Sequence, residues 1–98
     1  MLFAVIRNDK PDCVGLRQSA RPRHLEYLQD VISLIRSGGA ILNDDGQQVG
    51  SILFIDVANR AAAEEFVARD PFVDAGLFAS THIVPFRMVF ADGLRIDW

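Results

Sequence analysis

Apolar residues fall in short, separated runs along this chain, and the spacing inside each run predicts an element. Met1-Leu-Phe-Ala-Val-Ile6 is a β-prone run closed by Arg7-Asn8-Asp9-Lys10, which reads as a strand. Both of its faces are apolar, the mark of a central strand covered on two sides. Pro11 to Ser37 reads as helix: Leu25, Leu28, Val31, Ile32 and Ile35 recur at three- and four-residue spacing, while Arg23, Glu26, Gln29 and Asp30 face away. Gly38-Gly39 supplies a stop. Pro22 clashes inside a continuous helix but fits a first turn. Either the helix kinks near Arg21, or a short piece from Asp12 to Ala20 precedes a new start at Pro22. The reading adopted is a helix that begins before Arg17 and tolerates Pro22 with a kink.

Ala40-Ile41-Leu42 predicts a brief strand and Asn43-Asp44-Asp45-Gly46 a turn. Val49 to Val57 is a second strand with two apolar faces. Asn59 is placed to cap a helix from Arg60 to about Arg69, which Pro71 ends at Asp70. Thr81 to Phe90 is a last long strand, and Pro85 within it points to an edge position or a bulge. Leu94, Ile96 and Trp98 then alternate with Arg95 and Asp97, a tail suited to a short strand or to a partner subunit.

The order β-α-β-β-α-β is the ferredoxin-like α+β plan: a four-stranded antiparallel sheet with two helices on one face. Its first and third strands are central, and these are the two with apolar residues on both faces. Two helices cover one face only, so the other calls for a partner, and a second copy of the same sheet is the simplest. A homodimer or higher homo-oligomer is therefore expected.

Composition narrows the function. At 98 residues the chain has room for one core, and residues 1–98 read as a single domain. Ten Lys and Arg against thirteen Asp and Glu give a net charge of −3. That acidity argues against nucleic acid, whose phosphates demand basic contacts. No polybasic run addresses a membrane surface, and Met1 to Ile6 is too short for a signal or membrane helix, so the cytoplasm is the expected location. Cys13 has no partner for an internal disulfide, and no metal-binding cysteine pattern exists. Neither a metal nor any other cofactor is expected.

Two segments carry candidate chemistry: Arg17-x-x-x-Arg21-Pro-Arg-His24-Leu25-x-Tyr27-Leu28, and Asp70-Pro71-Phe72-x-x-x-Gly76-Leu77-Phe78, followed by Val84-Pro85-Phe86. In these the chain resembles the YciI-like family, whose members carry an Arg-rich His-Leu segment, an Asp-Pro-aromatic motif and a Val-x-Pro-aromatic motif. The resemblance spans nearly the whole chain. It implies a dimeric α+β barrel and an active site with a His and an Asp, which by motif are His24 and Asp70. One class of members eliminates chloride from a chlorinated aromatic. Relatives often have Gly-Pro after the second strand; here Asn43-Asp44-Asp45-Gly46 stands there, so the resemblance assigns no substrate.

The chemistry of these residues runs alongside. In a first turn starting at Pro22, His24 would meet the positive end of the helix dipole. Asp70 at the end of the second helix would meet the negative end, so each charged form would be relieved by the other. A neutral His oriented by an Asp is the arrangement of a general base, and the two are expected within about 2.6–3.2 Å at the mouth of a pocket. Arg17 and Arg21, four residues apart, share a helical face and can clamp an anionic small molecule. Ser51, on a central strand, is placed to line the pocket. His82 reads as a strand surface residue and Asp44-Asp45 as turn chemistry. The leading function is a small-molecule lyase or isomerase that abstracts a proton. The alternatives are a non-catalytic metabolite-binding or accessory domain and a purely structural dimer.

Overall fold

The computed structural model describes residues 1–97. Trp98, the last of the alternating tail positions, lies outside the described residues. Strand β1 (Leu2–Asp9) is followed by helix α1 (Val14–Asp30), then by β2 (Ile35–Leu42), β3 (Gln48–Asp56) and α2 (Arg60–Ala68). A short helix α3 (Pro71–Asp74), strand β4 (Phe78–Pro85) and two-residue strands β5 (Phe90–Ala91) and β6 (Leu94–Arg95) complete the order. The main sheet runs β2-β3-β1-β4, antiparallel throughout, with β1 and β3 central as the ferredoxin-like plan requires. No helix among the described residues is long and apolar enough to cross a membrane.

Alternation along β1 and β3 sorts the core. Phe3, Val5 and Ile55 point to the helices and pack with Val57, Ala63, Phe66 and Val67, with Leu28 of α1 and Val31 just after it against them. Asn59 caps α2 as expected, its side chain accepting the Ala62 N–H at 2.9 Å. The other face presents Leu2, Ala4, Ile6, Ile52, Phe54 and Val84, with the Phe54 and Phe86 rings 4.7 Å apart. Val84 and Phe86 are exposed on this apolar face.

Three boundaries differ from the sequence reading. β1 does not stop at Ile6 but continues through Arg7, Asn8 and Asp9, because β3 and β4 satisfy its backbone on both sides. α1 begins before Arg17 and runs through Pro22, as expected, so His24 lies in the helix interior and not in a first turn. It ends at Asp30: a turn of tighter helix spans Ile32–Leu34, and Ile35 to Gly39 belong to β2, where pairing with β3 wins over helical periodicity. Gly38-Gly39 is thus strand, not a helix stop. Leu25 and Ile32, read as inward-facing, are exposed, while the buried α1 stripe is Arg17, Ala20 and His24.

Pro71 does not merely terminate α2. It forces extended backbone on Asp70 and occupies the first turn of α3, whose N-cap is Asp70. The final strand begins at Phe78 and ends at Pro85, which sits on the sheet edge and cannot donate a further ladder bond. Beyond it the chain leaves the sheet and forms the β5–β6 hairpin through Asp92 and Gly93, both at positive φ, a primed turn.

At Gly50 the sheet leaves no room for a side chain, since a Cβ there would lie 2.4 Å from the backbone carbonyl oxygen of Arg7. Gly50→Ala is expected to push β3 from β1 and lower stability by about 1–3 kcal/mol, the usual cost of overpacking. Urea unfolding reads this directly, and an unchanged midpoint would contradict the close approach.

Candidate functional site

His24 and Asp70 meet. His24 Nδ1 lies 2.8 Å from Asp70 Oδ1 and 3.0 Å from Oδ2, within the range the sequence reading required. The contact exists because His24 is mid-helix and Asp70 sits on the turn beyond α2, so the opposed ends of the two helices do not separate them. Asp70 is fully buried and His24 nearly so. The Asp70 carboxylate also accepts the Phe72 N–H at 2.9 Å on Oδ1 and Arg7 Nη1 at 2.7 Å on Oδ2. Burial pushes the Asp70 pKa up, but the His24 hydrogen bond, the Phe72 N–H and the Arg7 charge outweigh it, and the net direction is down. The expected dipole penalty on Asp70 is absent, because this residue opens a helix instead of closing one.

An ionised carboxylate only accepts, so His24 Nδ1 carries the proton and donates it to Asp70. The neutral tautomer then holds its lone pair on Nε2, which has no hydrogen bond to any described residue. The imidazole is clamped from the side as well, stacked on Phe72 with ring centroids 3.9 Å apart.

Arg7 is the residue the sequence reading missed. In the sequence it stands at the polar end of the first apolar run, yet it is 1% exposed, paired with Asp70 and seated over the Phe78 ring at 4.7 Å. The signal was its register: Phe3, Val5 and Arg7 share one face of a central strand. Arg17 is also buried, but Asp9 holds it through two hydrogen bonds, Nε to Oδ2 at 2.7 Å and Nη2 to Oδ1 at 2.9 Å. Its guanidinium lies over Phe72 at 4.8 Å. Arg21 is exposed at the rim with no ion pair to a described residue. The two arginines do share a face, but only Arg21 brings an uncompensated charge.

Arg7, Arg17, Arg21, His24, Ser51 and Phe72 line one cleft of about 240 Å³. Leu25, Leu28 and Leu53 give it apolar walls, and Gly38-Gly39-Ala40 of β2 form its far side. His82 is exposed on the opposite sheet face, as expected of a surface position. Asp45 lies in the turn, where Asn43 Oδ1 accepts the N–H groups of Asp45 and Gln47. Cys13 sits half-buried just before α1.

Comparison with known proteins shows the family and the fold. The family model described as YCII-related domain matches residues 1–87. Protein YciI of Escherichia coli O6:H1 is 31% identical over 102 residues, covering 92% of this chain and 100% of the relative. An uncharacterized protein of Haemophilus influenzae is 29% identical with the same coverage. Among solved structures, 5-chloro-2-hydroxyhydroquinone dehydrochlorinase from Burkholderia phenoliruptrix, in complex with 2,5-dihydroxybenzoquinone, superposes with a TM-score of 0.83 at 34% identity. That match covers 89% of this chain and 94% of the dehydrochlorinase. A candidate antibiotic biosynthesis monooxygenase from Bacteroides thetaiotaomicron shares the fold at a TM-score of 0.57 and 14% identity, over 99% of this chain and 95% of its own.

The depressed Asp70 pKa fixes the sign of a stability test. The carboxylate contributes most at a pH above its unfolded value, near 4, and that contribution is lost as pH falls through the lower folded value. Asp70→Asn is expected to cost about 3–5 kcal/mol at pH 7, because Arg7 is left buried without its counter-charge. The variant should then lose less than wild type between pH 7 and pH 3. Urea midpoints at the two pH values measure both effects, and parallel losses would remove Asp70 from the acid response.

Proposed function

Because this chain belongs to the YCII-related domain family, we propose that it is a small-molecule enzyme in which His24 acts as a general base oriented by Asp70. The observation that carries this reading is the hydrogen bond of Asp70 to Nδ1, which leaves Nε2 of a cleft-lining imidazole available as acceptor. A substrate C–H or O–H proton passes to Nε2, and the resulting imidazolium is stabilised by the Asp70 carboxylate. The electron pair left on the substrate then expels a leaving group on the neighbouring carbon, or the proton is returned at another carbon. The first outcome is a lyase reaction and the second an isomerase reaction. Arg21 at the rim draws in anionic substrates, with Arg17 as part of the wall and Ser51 as a substrate contact.

The Burkholderia relative, a dehydrochlorinase by name, makes hydroxylated and chlorinated quinols the first compounds to try. A panel of such quinols and of enolisable ketones, assayed for chloride release and for solvent-deuterium incorporation, tests the reading. His24→Gln should lower turnover by about 10²–10⁴-fold, the usual worth of a positioned base. Turnover unchanged in His24→Gln would remove His24 as the base, and binding without turnover by wild type would favour a metabolite-binding domain instead.

The second part of the proposal is a homodimer. The apolar face made by Leu2, Ile6, Ile52, Phe54, Val84 and Phe86 is the side of the sheet the helices leave uncovered. Face-to-face packing of two such sheets buries it. Sedimentation at micromolar concentration should give twice the chain mass, and Phe54→Asp should shift it towards monomer; a folded wild-type monomer would end this reading.

A further inference from the structure

Two buried polar atoms of residues that line the cleft have no hydrogen-bond partner among the described residues, Arg7 Nε and Ser51 Oγ. They belong to facing residues, since Arg7 pairs with Ser51 in the β1–β3 register, and both side chains turn to the helix side of the sheet. Both are more than nine-tenths buried, at 1% and 8% exposure, and both line the cleft that His24 lines. Elsewhere in the site the buried polar atoms are spoken for: both Asp70 oxygens are taken, and Arg17 meets Asp9 along a two-bond edge. A buried donor left unmade costs roughly 1–3 kcal/mol, and folded proteins seldom carry two side by side without a use for them.

We propose that Arg7 Nε–H and Ser51 Oγ–H form an oxyanion subsite that takes the carbonyl, enolate or phenolate oxygen of the substrate. This deepens the reading of His24 as base by naming the substrate class. Charge bookkeeping selects the oxygen. Arg7 and Asp70 cancel, so the subsite exerts little net pull on a full anion such as phosphate. Its two donors favour an oxygen on which negative charge grows while a neighbouring proton leaves for His24. The space selects the size: about 240 Å³ with leucine walls and the stacked His24–Phe72 pair fits one planar ring or a short dicarbonyl chain. The substrate is therefore a small enolisable carbonyl compound or a hydroxylated ring, with the acidic proton next to the oxygen-bearing carbon.

The test uses 2,5-dihydroxybenzoquinone, whose ring oxygens are of this class, titrated calorimetrically into the full-length protein at pH 7. Wild type should bind, and Ser51→Ala and Arg7→Lys should each bind about tenfold more weakly, the loss of one charge-assisted hydrogen bond. Arg7→Lys keeps a cation for Asp70 but removes Nε–H. Should that variant fold poorly, Ser51→Ala decides alone. The ligand-free Ser51→Ala protein should melt at or above the wild-type temperature, because the hydroxyl it loses is unpaired; a purely structural serine would lower the midpoint instead. Binding to Ser51→Ala equal to wild type, or no binding to wild type, overturns the subsite. His24→Gln separates the two readings. If it keeps turnover while Ser51→Ala loses affinity, the base is wrong and the subsite stands. If it loses turnover while the Arg7 and Ser51 variants both bind normally, the subsite is wrong and the base stands.

Discussion

The buried carboxylate of Asp70 is the point at which three parts of the molecule are tied together. It takes a guanidinium from β1, an imidazole from α1 and a backbone N–H from α3. Stripping water from a charged carboxylate and a charged guanidinium costs several kcal/mol for each ion, and only dense hydrogen bonding offsets that cost. Both oxygens of Asp70 are accordingly occupied, and the arrangement tolerates little displacement of the three elements. A salt bridge of this kind is a weak source of net stability. Its effect is to fix where His24 stands and which ring nitrogen bears the proton.

The surroundings follow from that constraint. Phe72, next to the Asp-Pro turn, comes to rest on the His24 ring, and its own ring lies under the Arg17 guanidinium. Asp9 at the end of β1 holds Arg17, so one strand supplies partners to both ends of the cleft wall. Gly50 lets β3 approach the Arg7 backbone closely, which places Ser51 beside it. Tyr27, one turn beyond His24, donates to the Phe66 carbonyl at 2.6 Å; burial and then the Asp70 charge raise its pKa and keep it a neutral donor. A second groove of about 280 Å³, between α1 and α2, gathers Tyr27, Leu34, Phe66 and Arg69 but no comparable set of converging polar groups.

The cleft also shows how stability and function are divided in so small a chain. The hydrophobic cluster of Phe3, Val5, Ile55, Phe66 and Val67 lies at one end of the helix-covered face. The polar set of Arg7, Arg17, His24 and Asp70 occupies the other, where a second apolar cluster would otherwise fit. Ala20, Phe72 and Leu77 make only a small core there. A chain of this length has few apolar side chains to spare, and Leu2, Ile6, Ile52, Phe54 and Val84 are spent on the sheet's second face as well. Burial of that face in a dimer would return what the polar cleft withholds.

Much was legible in the sequence, and the reason is local. Period-two and period-3.6 patterns, Asn59 as a cap and Asn43-Asp44-Asp45-Gly46 as a turn act over a few residues, so the order of elements and the two central strands could be read from them. Motif spacing brought His24 and Asp70 to attention, and the structure joins them. What the sequence could not decide depends on contacts across many residues. Ile35 to Ser37 read as the end of a helix and Gly38-Gly39 as its stop, yet pairing with β3 makes them strand. Arg7 looks like a polar strand end until β3 and β4 close over it and Asp70 arrives from 63 positions away. Arg17 and Arg21 look alike in sequence, and only the position of Asp9 neutralises one and leaves the other charged. Local patterns select elements because their energetics are settled within a turn or a strand; the protonation and pairing of buried charges are settled by whatever the fold brings within 3 Å.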